Sequence, residues 1–445
     1  MLSLLRRYGW NATSFQVLER GFRYWFAGDD ACIAYVDTGG AWVAAGAPIA
    51  APERLAATAA AFVEAARAEG RRACFFATEP RFGEASAFES LPIGEQPTWD
   101  ASTWDSTLRT SKSLREQLRR ARAKGVTIRT LTADDVAHGA AMRGAIEGLV
   151  SRWMRSRPMA PMGFLVDVQP FEHAAERRYF VAEHEGRLVG FLAVVPIYAR
   201  GGWFLEDLLR DPSAPNGTPE LLVDAAMRRA AEEGSHYVTL GLAPLAGSIH
   251  GWMRTARERL SFFYDFEGLR AFKARLRPNA WDPIYLAHPR GASGTLALYD
   301  SLAAFARGSF ARFAVQTALR GPAIVVRMLA ILLVPWTVLL ASMPAARYFP
   351  SLWVQRAWVG FDVVLAVLLF VLAAKWRALL ARGLAAAITA DAALTVVQSL
   401  VWNAPRARGV TDALVIVVAC LAPTAAAVIL WSALRTRTTP VPAPG

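Results

Sequence analysis

The chain has 445 residues, and the usual domain size of roughly 100–200 residues predicts two to four domains. Apolar residues make up 54% and charged residues only 19%, against about 25% in ordinary soluble chains, and mean hydropathy is +0.25. The net charge of +12 points to an acidic partner, nucleic acid or anionic lipid, and the three scattered cysteines, Cys32, Cys74 and Cys420, exclude a disulfide framework and a zinc pattern.

From Met1 to Tyr24 there are arginines but no apolar run of signal-peptide length, so the first part of the chain is expected on the cytoplasmic side. Ala31–Val36 and Gly40–Ala45 read as a hairpin around Asp37-Thr38-Gly39. Pro52–Gly70 is an alanine-rich amphipathic helix ending at glycine, and Ala73–Thr78 follows as a buried strand. The same order recurs later in the chain. Tyr179–Glu183 and Leu188–Pro196 form a hairpin around Glu185-Gly186. Strand Trp203–Leu208, helix Pro219–Glu233 and strand His236–Gly241 follow. Two α/β units of similar plan imply a duplicated fold with a central sheet.

Between the units lies the densest charge cluster: Arg109, Lys112, Arg115, Arg119, Arg120, Arg122, Lys124 and Arg129, opposed locally by Glu116 alone. At helical spacing Lys112, Arg115, Arg119 and Arg122 share a face, which suits a phosphate backbone or anionic headgroups. A solvated basic face is the plainer reading. No aromatic residues interleave, so base stacking is not implied.

The segment Trp203–Leu286 is the richest in chemistry. It holds Glu206-Asp207-Leu208-Leu209-Arg210, Ala214-Pro215-Asn216-Gly217-Thr218, Leu240-Gly241-Leu242-Ala243-Pro244, Phe266-Glu267-Gly268-Leu269-Arg270-Ala271-Phe272-Lys273 and Asn279-Ala280-Trp281-Asp282-Pro283. Asp207 at a strand end can supply a carboxylate, with Arg210 three residues on as a phosphate or carbonyl contact; a structural ion pair is the alternative. Asn216-Gly217 precedes a helix, where free N–H groups make an anion site or simply a cap and turn. The six histidines show no metal spacing, so no metal is expected. Trp252 and Trp281 are candidates to line a pocket, with core packing as the default, and Tyr264, Phe266 and Phe272 read as core.

Leu296–Arg320 sets Leu298, Leu302, Phe305, Phe310 and Phe313 among Arg307, Arg312 and Arg320, an amphipathic pattern suited to an anionic membrane surface. Four apolar stretches follow, about 321–346, 357–374, 383–405 and 413–434. Each approaches or exceeds the ~18–20 residues that cross a bilayer core. With the N-terminus inside, Arg312, Arg320, Arg327, Lys375, Arg377, Arg382, Arg435 and Arg437 fall on the cytoplasmic side, and Arg347, Arg356, Arg406 and Arg408 opposite. That bias favours both termini inside. Asp362 and Asp391 lie within spans and are expected to face the bundle interior or water.

Over residues 15–290, and most strongly over 204–287, the quoted motifs resemble in order and spacing the C-terminal synthase domain of the phosphatidylglycerol lysyltransferase (lysylphosphatidylglycerol synthase) family. The resemblance implies tandem GNAT-like α/β folds, the second catalytic, followed here by an all-α transmembrane bundle of about four helices. Together with the apolar stretches it divides the chain into a first unit at 1–108, a basic inter-domain helix at 109–130, a catalytic unit at 131–290, an interfacial linker at 291–320, spans at 321–436 and a tail at 437–445. It implies transfer of an aminoacyl group from aminoacyl-tRNA to a hydroxyl of an anionic phospholipid, at an inner (cytoplasmic) membrane, with no cofactor. Asp207 and Arg210 are carried over as catalytic. Asn216, Gly217, Glu267, Arg270 and Lys273 are the substrate-binding candidates, and Lys112, Arg115, Arg119 and Arg122 the contacts to tRNA or phosphate. The family's Gly-Asp-Pro near the first hairpin stands here as Gly46-Ala47-Pro48, and the membrane helices follow the synthase region rather than precede it. Two other readings compete: an acyl-CoA-dependent GNAT acyltransferase, whose usual pyrophosphate loop is missing between Arg210 and Pro219, and a non-catalytic membrane protein keeping the fold.

Overall fold

A computed structural model describes residues 1–157, 159–247, 265–310, 312–313, 316–317, 322–374, 377–407 and 409–438. Trp252, Tyr264, Arg320, Lys375 and Arg408 therefore lie outside the described residues. The chain forms two compact units, Met1–Arg157 with Pro161–Phe313, and Pro158–Ala160 with Ala314–Gly445.

The first unit is built on one mixed sheet of twelve strands: β1 (Arg23–Phe26), β2 (Cys32–Asp37), β3 (Ala41–Ala45), β4 (Arg72–Thr78), β5 (Glu89–Trp99), β6 (Thr127–Leu131), β7 (Arg178–His184), β8 (Arg187–Ile197), β9 (Gly202–Arg210), β10 (Val238–Thr239), β11 (Ala243–Pro244) and β12 (Ala280–His288). Their order is β1-β2-β3-β4-β12-β5-β10-β9-β8-β7-β6, with β11 on β5. The expected hairpins form: β2 pairs antiparallel with β3, and β7 with β8 across Glu185-Gly186. Both turn residues have positive φ, 51° and 73°, the twist a two-residue hairpin needs. In each half an antiparallel hairpin leads to a parallel pair bridged by a helix. Helix Leu55–Ala68 joins β3 to β4, and helix Thr218–Glu232 joins β9 to β10.

The halves are not separable modules. β12, from the end of the second half, lies between β4 and β5 of the first, and β5 pairs with β10 of the second. Each half thus completes the other's sheet, which is why residues on both sides of the expected boundary at 108–109 fall into one compact unit. Apolar side chains close both faces. Trp99, Trp104, Leu114, Leu118 and Leu222 gather in one cluster, and Val43, Cys74, Leu286 and Ala297 in another.

The basic segment forms helix Lys112–Ala123, and its buried stripe is Leu114, Leu118 and Ala121. Downstream, helix Gly294–Phe305 docks through Ala297, Ser301 and Ala304. Leu298 and Phe305, assigned from sequence to the membrane-facing side, instead pack on the core.

In the second unit the long described helices are Pro322–Ser342, Leu352–Ala374, Ala378–Gln398 and Val410–Thr438. Two stretches, Leu352–Ala373 and Ala378–Arg406, are long and apolar enough to cross a membrane, and Val326–Ser342 and Val415–Trp431 are shorter apolar helices. Asp362 is buried among them. Asp412 is held by Arg347 at 2.8 Å and by the Tyr348 hydroxyl at 2.8 Å.

Candidate active site

β9 carries Glu206, Asp207 and Arg210, and one irregularity sets its geometry. Opposite β8, Asp207 pairs with Ala193 and Leu205 with Val194, leaving Glu206 as an extra residue in a bulge. Arg177, just before β7, is completely buried beneath Glu206 and Glu19. Its guanidinium donates to Glu19 Oε1 at 3.0 Å, to Glu206, and through Nε to the Glu172 carbonyl at 2.8 Å. The Phe15 ring lies 5.2 Å from the guanidinium carbon. Asp207 is 7% exposed. Glu19 Oε2, Glu206 Oε1 and Asp207 Oδ2 are buried with no hydrogen-bond partner.

Three buried carboxylates therefore face one arginine, and they do not all stay charged. Burial, then Glu206, pushes the Glu19 carboxyl up to about 10 against the pull of Arg177. Burial, then Glu206, holds Asp207 well above its ordinary range. Burial opposes the charge of Arg177, but Glu206 and Glu19 more than offset it and raise its pKa. Burial and the neighbouring Glu206 thus bias Asp207 toward its protonated form, which makes it a poorer proton acceptor than an exposed aspartate.

This corrects the pairing of Asp207 with Arg210. Residues three apart on a strand point to opposite faces, and here Arg210 leaves Asp207 behind and turns to the other side. Arg210 Nη2 donates to the Ala214 carbonyl at 2.7 Å and to Asn216 Oδ1 at 3.3 Å. It lines a cleft of 520 Å³ together with Gln117, Arg120, Lys124, Asn216, Gly217, Pro219, Glu220, Phe272 and Arg275. Four cations, Arg120, Lys124, Arg210 and Arg275, outnumber the single acid Glu220. The cleft also borders the start of helix Thr218–Glu232, whose dipole adds positive potential, although Thr218 N–H is taken by the Pro215 carbonyl and Pro219 has none. Gly217 caps that helix at φ 95°, and a Cβ there would stand 2.7 Å from the Gln117 carbonyl oxygen. Glycine is what lets the basic helix approach so closely. The arrangement suits a phosphate-bearing ligand with a flat or apolar group against Phe272.

The basic helix turns a different flank to the cleft from the one expected. Arg115 donates to the carbonyls of Leu108 (2.6 Å) and Arg109, and Arg119 chelates Glu116 at 2.7 and 2.9 Å. Arg122 binds the buried Asp224 at 2.7 Å, which also accepts from Trp104 Nε1 at 2.9 Å. Arg115 and Arg122 are thus engaged within the fold, Arg119 and Arg120 share Glu116 at the surface, and Lys112 is exposed. The cleft takes Gln117, Arg120 and Lys124 instead. The stripe Leu114, Leu118, Ala121 decides this, since burying it leaves 117/120/124 on one flank and 115/119/122 on the other.

Lys273 is also reassigned. It is 4% exposed, and Nζ donates to the carbonyls of Leu240 (2.9 Å), Gly241 (2.8 Å) and Leu242 (2.9 Å). All three ammonium donors are taken, so none remains for a phosphate. Burial pushes the Lys273 ammonium down to about 7. Lys273 ties helix Phe266–Arg275 to the turn leaving β10. Arg270 pairs with Glu95 at 2.8 Å and stacks over Trp281 at 4.9 Å, and Glu267 is exposed in the first turn of its helix. Among the described residues no cluster of His, Cys, Asp or Glu is arranged to hold a metal.

Sequence reasoning missed Glu19 and Arg177, which are far from Asp207 along the chain and carry no local signal. It counted Arg120 and Lys124 in the basic cluster but not on its binding face, and it left out Gln117, Glu220 and Arg275, although the apolar stripe of the basic helix points to the flank of Gln117, Arg120 and Lys124.

Comparison with known proteins places this architecture. Residues 2–288 match the family model described as phosphatidylglycerol lysyltransferase, C-terminal. A phosphatidylglycerol lysyltransferase of Bacillus subtilis (strain 168) is 30% identical over 128 residues, 27% of this chain and 15% of that protein. An uncharacterized protein of Corynebacterium glutamicum is 24% identical over 295 residues, 62% of this chain and 37% of its own length. The chain thus matches well under half the length of either relative. Among solved structures, L-PGS from Bacillus licheniformis superposes with a TM-score of 0.58 at 20% identity, covering 68% of this chain and 95% of that one. The C-terminal domain of an Agrobacterium fabrum protein described as a lysylphosphatidylglycerol synthetase gives 0.59 at 24% identity, covering 69% and 96%. At these identities the two structures speak for the fold.

Proposed function

The chain belongs to the phosphatidylglycerol lysyltransferase C-terminal family, and from that premise we propose that it is a membrane-bound aminoacyltransferase moving an aminoacyl group from aminoacyl-tRNA to a hydroxyl of an anionic phospholipid such as phosphatidylglycerol. The observation that carries the reading is the 520 Å³ cleft with four cations at a helix N-terminus. It suits the phosphodiester end of a charged tRNA, since each basic contact displaces a condensed counterion.

The reaction is a transesterification. The lipid hydroxyl attacks the ester carbonyl, the bond to the ribose oxygen breaks, and that oxygen leaves with the proton. The ester is already activated, so no enzyme nucleophile is needed; positioning and stabilisation of the oxyanion supply the rate. Arg210, steadied by Ala214 and Asn216, is placed to meet phosphate or carbonyl oxygen. Asp207 acts as a positioning residue, since it is buried next to Glu206, whose tie to Arg177 fixes the strand that carries Arg210. Lys273 holds the opposite wall. The apolar helices of the second unit anchor the protein as a multi-pass inner-membrane protein of about four spans, with both termini and the transferase unit on the cytoplasmic side.

The test is reconstitution of the full chain in phosphatidylglycerol vesicles with charged tRNA. Aminoacyl-lipid should form and be abolished by RNase. Absence of product across a panel of amino acids and lipids refutes the assignment, and saturable CoA binding in its place turns it toward an acyl-CoA enzyme.

A further inference from the structure

A surface helix of a water-soluble unit normally presents charge to solvent. Helix Gly294–Phe305 does not. From Gly291 to Ala306 the single charged residue is Asp300, and it points inward. It is 3% exposed and held by Arg72 through Nε at 2.8 Å and Nη2 at 2.6 Å. Ala297, Ser301 and Ala304 fill the same buried side.

The outward side is Thr295, Leu296, Tyr299 and Leu302. Leu296, Tyr299 and Leu302 are 40%, 54% and 47% exposed, and Phe310, 38% exposed, brings its ring centroid to 5.2 Å from that of Tyr299. Exposed basic residues bracket this uncharged surface, Arg290 before it and Arg312 after it. An apolar face with an amphipathic tyrosine and arginines at its margins has the composition of a helix lying in a membrane interface. The occupant follows from the chain itself. Phe310 and Pro322, where the first long apolar helix begins, are separated by roughly 12 residues, a reach of at most ~40 Å.

We propose that the face formed by Leu296, Tyr299, Leu302 and Phe310 binds the headgroup region of an anionic bilayer. This rests on the membrane placement of the apolar helices. The face is a second lipid contact, made by the transferase unit itself. It holds that unit at the surface where a phospholipid acceptor is found, and it keeps Leu302 and Phe310 of the face the sequence pattern suggests, while Leu298 and Phe305 pack on the core.

The experiment is nitroxide accessibility in the full chain reconstituted in phosphatidylglycerol-containing vesicles. Cys420 is replaced by serine, the buried Cys32 and Cys74 are kept, and the label is placed by Leu302→Cys or, independently, Tyr299→Cys. Collisions with oxygen should rise and those with a water-soluble nickel chelate should fall, reversing the ratio of a label at exposed Ala123→Cys. A ratio like that of the Ala123 site overturns the proposal. So does protection from both reagents, which marks a protein contact instead. A label at Leu394→Cys, on helix Ala378–Gln398, separates the two levels. If it too reports water, the membrane placement itself fails; if it reports lipid while residues 299 and 302 report water, only this inference does.

Discussion

Replacing Arg177 by methionine tests the buried cluster most directly. The substitution keeps most of the volume and removes the one cation facing Glu19, Glu206 and Asp207. Breaking a buried ion pair by removing one partner typically costs about 3–5 kcal/mol, because the remaining charge is left uncompensated. Total stabilities run only about 5–15 kcal/mol, so this is a large share. For a unit of this size that cost lowers Tm by on the order of 10 °C. The readout is tryptophan fluorescence of the detergent-solubilised full chain on heating. Arg177→Met with Glu19→Gln and Glu206→Gln should recover much of the loss, because neutral amides remove the repulsion that arginine offset. The pH dependence adds an independent check. Glu19 has a folded value of about 10, above its ordinary 4.5, so the unfolded state releases its proton first as pH rises. Stability from this group is complete below pH 4.5 and is lost toward pH 10, at up to ~1.4 kcal/mol per pH unit. Glu19→Gln should remove that slope. A change under 2 °C in Arg177→Met, by the roughly 2–4 °C per kcal/mol scaling, or no recovery in the triple variant, refutes the account.

Further substitutions probe the cleft and its walls. Arg120→Glu, Lys124→Glu or Arg275→Glu should raise KM for charged tRNA by about tenfold or more and flatten its salt dependence, whereas Lys112→Ala should change it little; equal effects would return the binding face to the opposite flank. Gly217→Ala, at φ 95° with its Cβ 2.7 Å from the Gln117 carbonyl, should cost about 1–3 kcal/mol and lower kcat/KM, read by thermal melts and the vesicle assay; an unchanged Tm would show that the helices part freely. Lys273 has a folded value near 7, below its ordinary 10.5, so its contribution rises with pH between those values. The gap in Tm between wild type and Lys273→Met should widen in favour of wild type from pH 7 to 10, and a constant gap would refute neutralisation of the ammonium.

Much of this protein is written in local pattern. The Glu185-Gly186 turn, the buried run Ala73–Thr78, the helices before and after glycine and the long apolar stretches each depend on neighbours within a few residues. A period of two or 3.6 therefore exposes them. The family resemblance was legible for the same reason, since its motifs keep their order along the chain. Tertiary structure alone decided what depends on distant strands. Nothing near β12 says that it will insert between β4 and β5, nor that Glu19 will meet Arg177 across the sequence. The bulge at Glu206 and the two-residue period of β9 sent Asp207 into the interior and Arg210 into the cleft, so residues three apart came to serve different surroundings. Burial of Leu114, Leu118 and Ala121 then chose which basic residues line the cleft. Composition supplied the positive charge, and packing selected the side of the helix on which it acts.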